Sequence, residues 1–118
     1  MIDIIPYVAE LLEPLGAQIE LSYRDTEVTF PLIVLTTVSN APQILDKVEY
    51  FTRIIVQVDA YTLDKGETVR LAQQIDDIMR EHGFRLSNAF PLTEGELERY
   101  QMSYNCSLDF SHTRIITT

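Results

Sequence analysis

The sequence predicts an α+β domain, a mainly antiparallel sheet with two helices packed on it in the order αβββαββ. Three observations carry that prediction. Apolar residues recur at helical spacing in only two segments, near the N-terminus and between Glu67 and Met79. The other ordered stretches alternate with period two or are apolar on both parities, as strands are. The first three strands follow one another with no helix between them, which argues against repeated βαβ units.

The first helix rests on Ile4, Ile5, Val8, Leu11 and Leu12, with Asp3 placed to cap it and Pro6 in its first turn, where a missing N–H is tolerated. Pro14 pushes Glu13 out of the helical region and Gly16 follows, so the helix is expected to stop there. Ile19, Leu21 and Tyr23 then alternate with Gln18, Glu20, Ser22 and Arg24, and Arg24-Asp25-Thr26-Glu27 is expected to turn the chain back. Val28 to Ser39 carries Phe30, Leu32, Val34 and Val38 on one parity and Ile33 and Leu35 on the other. That pattern fits a central strand, with Pro31 marking an edge or bulge near its start. Ser39-Asn40-Ala41-Pro42 reads as a loop.

Tyr50 to Leu63 forms a long strand whose even positions, from Tyr50 to Ala60, belong to a core. Asp64-Lys65-Gly66-Glu67 has capping-box spacing and starts the second helix. The apolar stripe of that helix is Leu71, Ala72, Ile75, Ile78 and Met79, and Gly83 sits where a left-handed residue ends it. Phe84 to Leu92, interrupted by Pro91, is a weaker strand, and Thr93-Glu94-Gly95-Glu96 is a turn. The last strand, Glu98 to Phe110, places Tyr100, Met102, Tyr104, Cys106, Leu108 and Phe110 on one face and polar residues on the other without exception.

A chain of 118 residues with 46% hydrophobic and 23% charged residues has ordinary globular composition and length for one domain, residues 1–118. Length scaling gives a folded surface of roughly 6,500 Å², about a third of the unfolded value. No apolar run approaches the roughly 20 residues that span a bilayer. The net charge of -9 and the scattered basic residues argue against gripping a phosphate backbone. No basic region precedes Arg24, so no leader is readable and a cytoplasmic product is expected. One cysteine fits a reducing compartment.

Four scattered glycines allow neither a P-loop nor a dinucleotide fingerprint. His82 and His112 lack metal-ligand spacing, and His82 reads as a last-turn residue of the second helix. Cys106 falls on an apolar face and reads as structural. Asp76 with Asp77, and Glu94 with Glu96 and Glu98, read as solvated charge rather than an acid–base pair. The expectation is no enzyme, no cofactor and no metal. The odd face of the long strand is more informative, because Phe51, Ile55 and Tyr61 mix there with Arg53 and Asp59. It reads either as a sheet face partly covered by a helix or as a subunit contact, where aromatics and Arg are enriched and charges fix register.

The opening helix, the Phe30-Pro31-Leu32-Ile33-Val34-Leu35 strand, and the segment Ile55 to Thr62 leading directly into Glu67 to Met79 carry a resemblance that continues through Gly83-Phe84 and Glu98-Arg99-Tyr100. In order and lengths the chain resembles the tail terminator or tail-completion proteins of tailed bacteriophages, small head-tail joining proteins often carried by prophages. The resemblance implies a homo-oligomeric ring, commonly a hexamer, that caps the tail tube and meets the head connector. It implies no catalytic residues, and a place in the virion after assembly in the bacterial host cytoplasm. An acidic ring would let DNA pass without binding it, within a Debye length of roughly 8 Å. Two other readings stay open. One is a small cytoplasmic ligand-binding domain or enzyme using Tyr100, Tyr104 or Asp59 as polar handles, and the other an acidic adaptor or inhibitor that mimics nucleic acid.

Overall fold

In a computed structural model of the chain, residues 3–21, 29–45, 48–109 and 115–116 are described, with 39–51, 109 and 115–116 as backbone only. The elements are α1 (Ile5–Leu12), a 3-10 turn (Glu13–Leu15), β1 (Gln18–Glu20), β2 (Leu32–Leu45), β3 (Val48–Thr62), α2 (Lys65–Glu81), β4 (Arg85–Glu94), β5 (Leu97–Asp109) and β6 (Ile115–Ile116). The strands form one sheet in the order β1-β2-β3-β5-β4, with β6 also paired to β5.

The α+β class and the two helices are as expected, but the sheet is mixed and not mainly antiparallel. β1 runs parallel to β2, with Gln18 opposite Leu32 and Glu20 opposite Val34, whereas β2–β3, β3–β5, β4–β5 and β5–β6 are antiparallel. Gln18 explains the difference. Its backbone N–H donates to the Pro31 carbonyl at 3.1 Å and its side-chain Oε1 accepts from the Thr29 N–H at 2.7 Å. The start of β2 is thereby drawn beside the start of β1, and two strands held head to head must run the same way. The turn expected at residues 24–27 lies outside the described residues.

The element order also differs in detail. Residues 39–42, expected as a loop, continue β2 as far as Leu45, because β3 offers a 15-residue template opposite them. Register shifts at Thr37/Ser39 and Gln43/Ile44 absorb the irregularity. Pro31 sits just before β2, so its missing donor interrupts no ladder bond. At ~3.3 Å per residue β3 is about 50 Å long, which accounts for the overall extents of 51 × 25 × 23 Å. This elongation also fits an accessible surface of 7,090 Å², above the length-scaling value.

Local chemistry bounds α2 where the sequence indicates. Pro14 does not push Glu13 out of the helical region: Glu13 has φ -53 and ψ -41, and Glu13–Leu15 add a 3-10 turn that accepts Pro14 in its first positions and ends at Gly16, φ 75. Asp3 Oδ1 accepts from the Ile5 N–H at 3.1 Å, one residue outside the N-cap position at Ile4. Asp64 caps α2 by accepting from the Glu67 N–H at 2.9 Å. The return half of the expected capping box is made differently, since the Asp64 N–H donates to Thr62 Oγ1 at 3.1 Å. At the other end Gly83 has φ 90, the Gly83 N–H donates to the Arg80 carbonyl and the Phe84 N–H to the Met79 carbonyl. These are the two bonds of a Schellman motif, and Phe84 and Met79 are buried as its hydrophobic partners.

Both helices pack on one side of the sheet. Ile4, Val8 and Leu12 of α1 and Leu71, Ala72, Ile75 and Met79 of α2 join Ile33 and Leu35 of β2, Ile54 to Ala60 at even positions of β3, and Met102 to Leu108 at even positions of β5 in one core. The alternation read from the last strand holds for every described position from Met102 to Leu108 on the core face. Phe110 and His112 lie outside the described residues.

Candidate functional site

The face of the sheet that carries no helix contains the odd positions of β3, where sequence reasoning placed a subunit contact. Arg53 is exposed and Ile55 half-buried. Asp59 and Tyr61 are 3% and 6% accessible, so their side chains are used within the chain. The Phe51 side chain lies outside the described residues. The surface that this strand offers on the open face is therefore narrower than the sequence alone indicates, centred on Arg53 and Ile55.

The buried pair is organised by a residue on a different strand. Register puts Arg99 of β5 opposite Tyr61 and next to Asp59. Arg99 Nε donates to Asp59 Oδ1 at 3.0 Å, Arg99 Nη1 donates to Glu94 Oε1 at 3.1 Å, and the guanidinium lies 5.5 Å from the Tyr61 ring centroid. Gln57 Nε2 completes the carboxylate by donating to Asp59 Oδ2 at 2.8 Å. Burial works against the Arg99 charge, but the hydrogen bond and charge of Asp59, with Tyr61 and Glu94 behind them, outweigh it and hold the guanidinium above its ordinary range. Beside this network Tyr61 packs with Leu32, Val34 and Phe30 in a small second cluster. No helix among the described residues covers the odd face, contrary to the first reading offered by the sequence; its Asp59–Tyr61 end is satisfied within the chain and its Arg53 end is exposed. Sequence reasoning did not single out Arg99 as the partner of Asp59, because cross-strand register cannot be read from one strand.

On the helix side, a groove of about 150 Å³ opens between α2 and β4. Val69, Gln73 and Asp76 form its helical wall, Leu86 and Ala89 its strand wall, with Tyr100 and Met102 between them. Val69, Gln73, Asp76 and Arg80 follow one stripe of α2, which the apolar pattern of that helix did not single out. The groove exists because β4 is the edge strand and both Ala89 and Val69 remain exposed, leaving the outer side of α2 only partly supported. Below it, Tyr104 donates from its hydroxyl to Asp76 Oδ1 at 2.8 Å, and Asp76 Oδ2 meets Arg80 Nε at 2.8 Å. Burial first, and then the Asp76 hydrogen bond, push the Tyr104 phenol far above its ordinary range. It is a fixed donor that pins α2 to the sheet.

Cys106 is buried, and desolvation pushes its thiol up to about 11, which suppresses thiolate chemistry at neutral pH. His82 occupies the C-cap of α2, where ring Nδ1 donates to the Ile78 carbonyl at 2.9 Å. Among the described residues no group of three or more His, Cys, Asp or Glu side chains is placed to hold a metal ion. Among them, too, no helix is long and apolar enough to cross a membrane. No protein-family model matches the sequence, and a search of curated proteins finds no match either.

Proposed function

We propose that the chain is a ring-forming structural subunit of a phage or prophage particle, of the tail terminator or tail-completion kind. It acts through contacts with its own copies, the tail tube and the head connector, and it needs no cofactor. The observation that carries this reading is the succession of elements. A short opening helix leads through two strands into a long β3, which passes directly into the Asp64-capped α2, followed by the β4–β5 hairpin. The segments on which the resemblance rests occupy these elements in that order. An elongated sheet with helices on one side and an opposite face that mixes polar residues with the Leu32–Val34–Tyr61 cluster supports it as well, because such a subunit offers unlike surfaces to several neighbours.

The test is assembly. Light scattering and negative-stain microscopy on the purified protein, alone and with tail tubes, should show closed rings. A strict monomer at tens of micromolar that also ignores tube ends refutes the reading. Arg53→Glu, on the exposed end of the β3 odd face, should weaken assembly if that surface contributes.

One observation favours a second reading, a small ligand-binding domain. The α2–β4 groove holds Tyr100, one of the polar handles that reading requires, and metabolite-dependent thermal shifts abolished by Val69→Arg would support it.

A further inference from the structure

α1 is held to the rest of the fold by packing alone. Ile4, Val8 and Leu12 sink into the common core, α1 lies against β2 and α2, and the Tyr7 ring stacks on Phe84 with centroids 6.4 Å apart and planes at 28°. Among the described residues no hydrogen bond or ion pair joins residues 4–15 to any part of the chain beyond Gly16; the bonds at Ile5, Val8 and Gly16 are all local. Eight residues are too few for a helix to hold in water by itself, so α1 is ordered by its seat. The seat in turn is stable only when filled, because emptying it puts core residues of β2 and α2 in water. The chain itself shows what fills it: a short helix with Ile4, Val8 and Leu12 on one stripe and Tyr7 beside them.

The connection to β1 favours opening. Glu13–Leu15 form a single 3-10 turn, and Gly16 follows with φ 75. A residue before proline favours extended backbone, yet Glu13, before Pro14, is held at φ -53 and ψ -41 while α1 sits on its own sheet. Releasing α1 lets Glu13 extend, and residues 13–17 then span about 17 Å at ~3.4 Å per residue.

We infer that α1 is exchanged between copies, each copy in the ring seating the α1 of the next. This rests on the ring reading proposed above and names its subunit contact. The occupant of the seat is the same helix in both arrangements, so exchange keeps every contact that α1 makes within one chain. Extension at Glu13 favours the exchanged form, and mass action favours it further as concentration rises. Passing α1 always to the next copy joins unlike surfaces and closes into a ring, whereas two copies that trade helices stop at a dimer.

Tyr7→Cys and Phe84→Cys, on a Cys106→Ala background, put one thiol on α1 and one on its seat, with folding checked by circular dichroism. Protein carrying both thiols, oxidised with diamide at tens of micromolar, should run on a non-reducing gel as a ladder of linked chains. A mixture of the two single-thiol proteins should give a linked pair containing one of each. A lone band of internally linked chain from protein that sediments as rings, or a ladder that ends at two, overturns the exchange and leaves the ring reading standing. Cys106→Ala protein that sediments only as a monomer overturns both. Phe84 is 2% accessible and its loss can unfold the chain, so a second variant leaves the seat intact. Pro14→Ala removes the preference for extension at Glu13 and should raise the concentration at which rings form. Rings that form at an unchanged concentration overturn exchange through this hinge.

Discussion

Replacing Arg99 by methionine would remove the cation that faces Asp59 at 3.0 Å while keeping most of the aliphatic volume. The Asp59 side chain is 4% accessible and that of Arg99 19%, so water reaches the carboxylate poorly. Only the Gln57 hydrogen bond at 2.8 Å remains among its described side-chain partners. Removing one member of a buried pair costs about 3–5 kcal/mol, because the other charge is left uncompensated. The partial exposure of Arg99 favours the lower end. With an unfolding entropy of ~2.1 cal/mol/K per residue, a loss of about 3 kcal/mol lowers Tm by about 12 °C. Urea denaturation of wild type, Arg99→Met, Asp59→Asn and the double variant forms a thermodynamic cycle. The double variant should recover about half of the Arg99→Met loss, since it no longer buries an unpaired charge. A loss under about 1 kcal/mol for Arg99→Met, with no coupling in the cycle, would refute the reasoning and place the pair in water.

Tyr104→Phe removes a buried hydroxyl donor to Asp76 and should cost about 1.5 kcal/mol in urea denaturation, with Asp76→Ala matching or exceeding it. Asp64→Ala deletes the α2 cap and should cost about 1 kcal/mol, with Asp64→Ser recovering most of it. With the Cys106 thiol pushed up to about 11, the unfolded chain releases its thiol proton at lower pH than the folded one. Stability attributable to this group is full below the unfolded thiol value of about 8.5 and is lost as pH rises toward 11, at up to ~1.4 kcal/mol per unit. Cys106→Ala should flatten that decline between about pH 8.5 and 10, and native wild-type protein should resist iodoacetamide at neutral pH.

The legibility of the fold tracked how local each cause is. The α2 boundaries, the Gly83 stop and the core face of β5 follow from residues a few positions apart, and they were readable. The parallel β1–β2 pair was not, because it depends on Gln18 bonding to Thr29 and Pro31 across an intervening segment. Residues 39–42 carry turn-forming side chains, yet pairing with β3 overrides that preference. Four of the five residues singled out on the odd face of β3 are described there, but a strand seen alone does not reveal that Asp59 and Tyr61 are already engaged by Arg99. The groove between α2 and β4 was foreshadowed only by the alternative of a ligand-binding domain with Tyr100, Tyr104 or Asp59 as polar handles, of which Tyr100 lines it. Its other walls come from elements that the chain brings together only on folding.

The irregularities of the edge strand β4 and of β2, which β1 pairs only from Leu32 to Val34, bear on how the protein survives its own concentration. β4 is broken by the extra residue between Leu86 and Asn88 and loses a donor at Pro91, and β2 carries a bulge near Val38 and loses a donor at Pro42. An uninterrupted strand edge would template the same edge of any copy it met, and repeated addition would lead to fibrils. With each edge interrupted twice, newly made subunits can accumulate in a crowded cell without zipping into endless sheets.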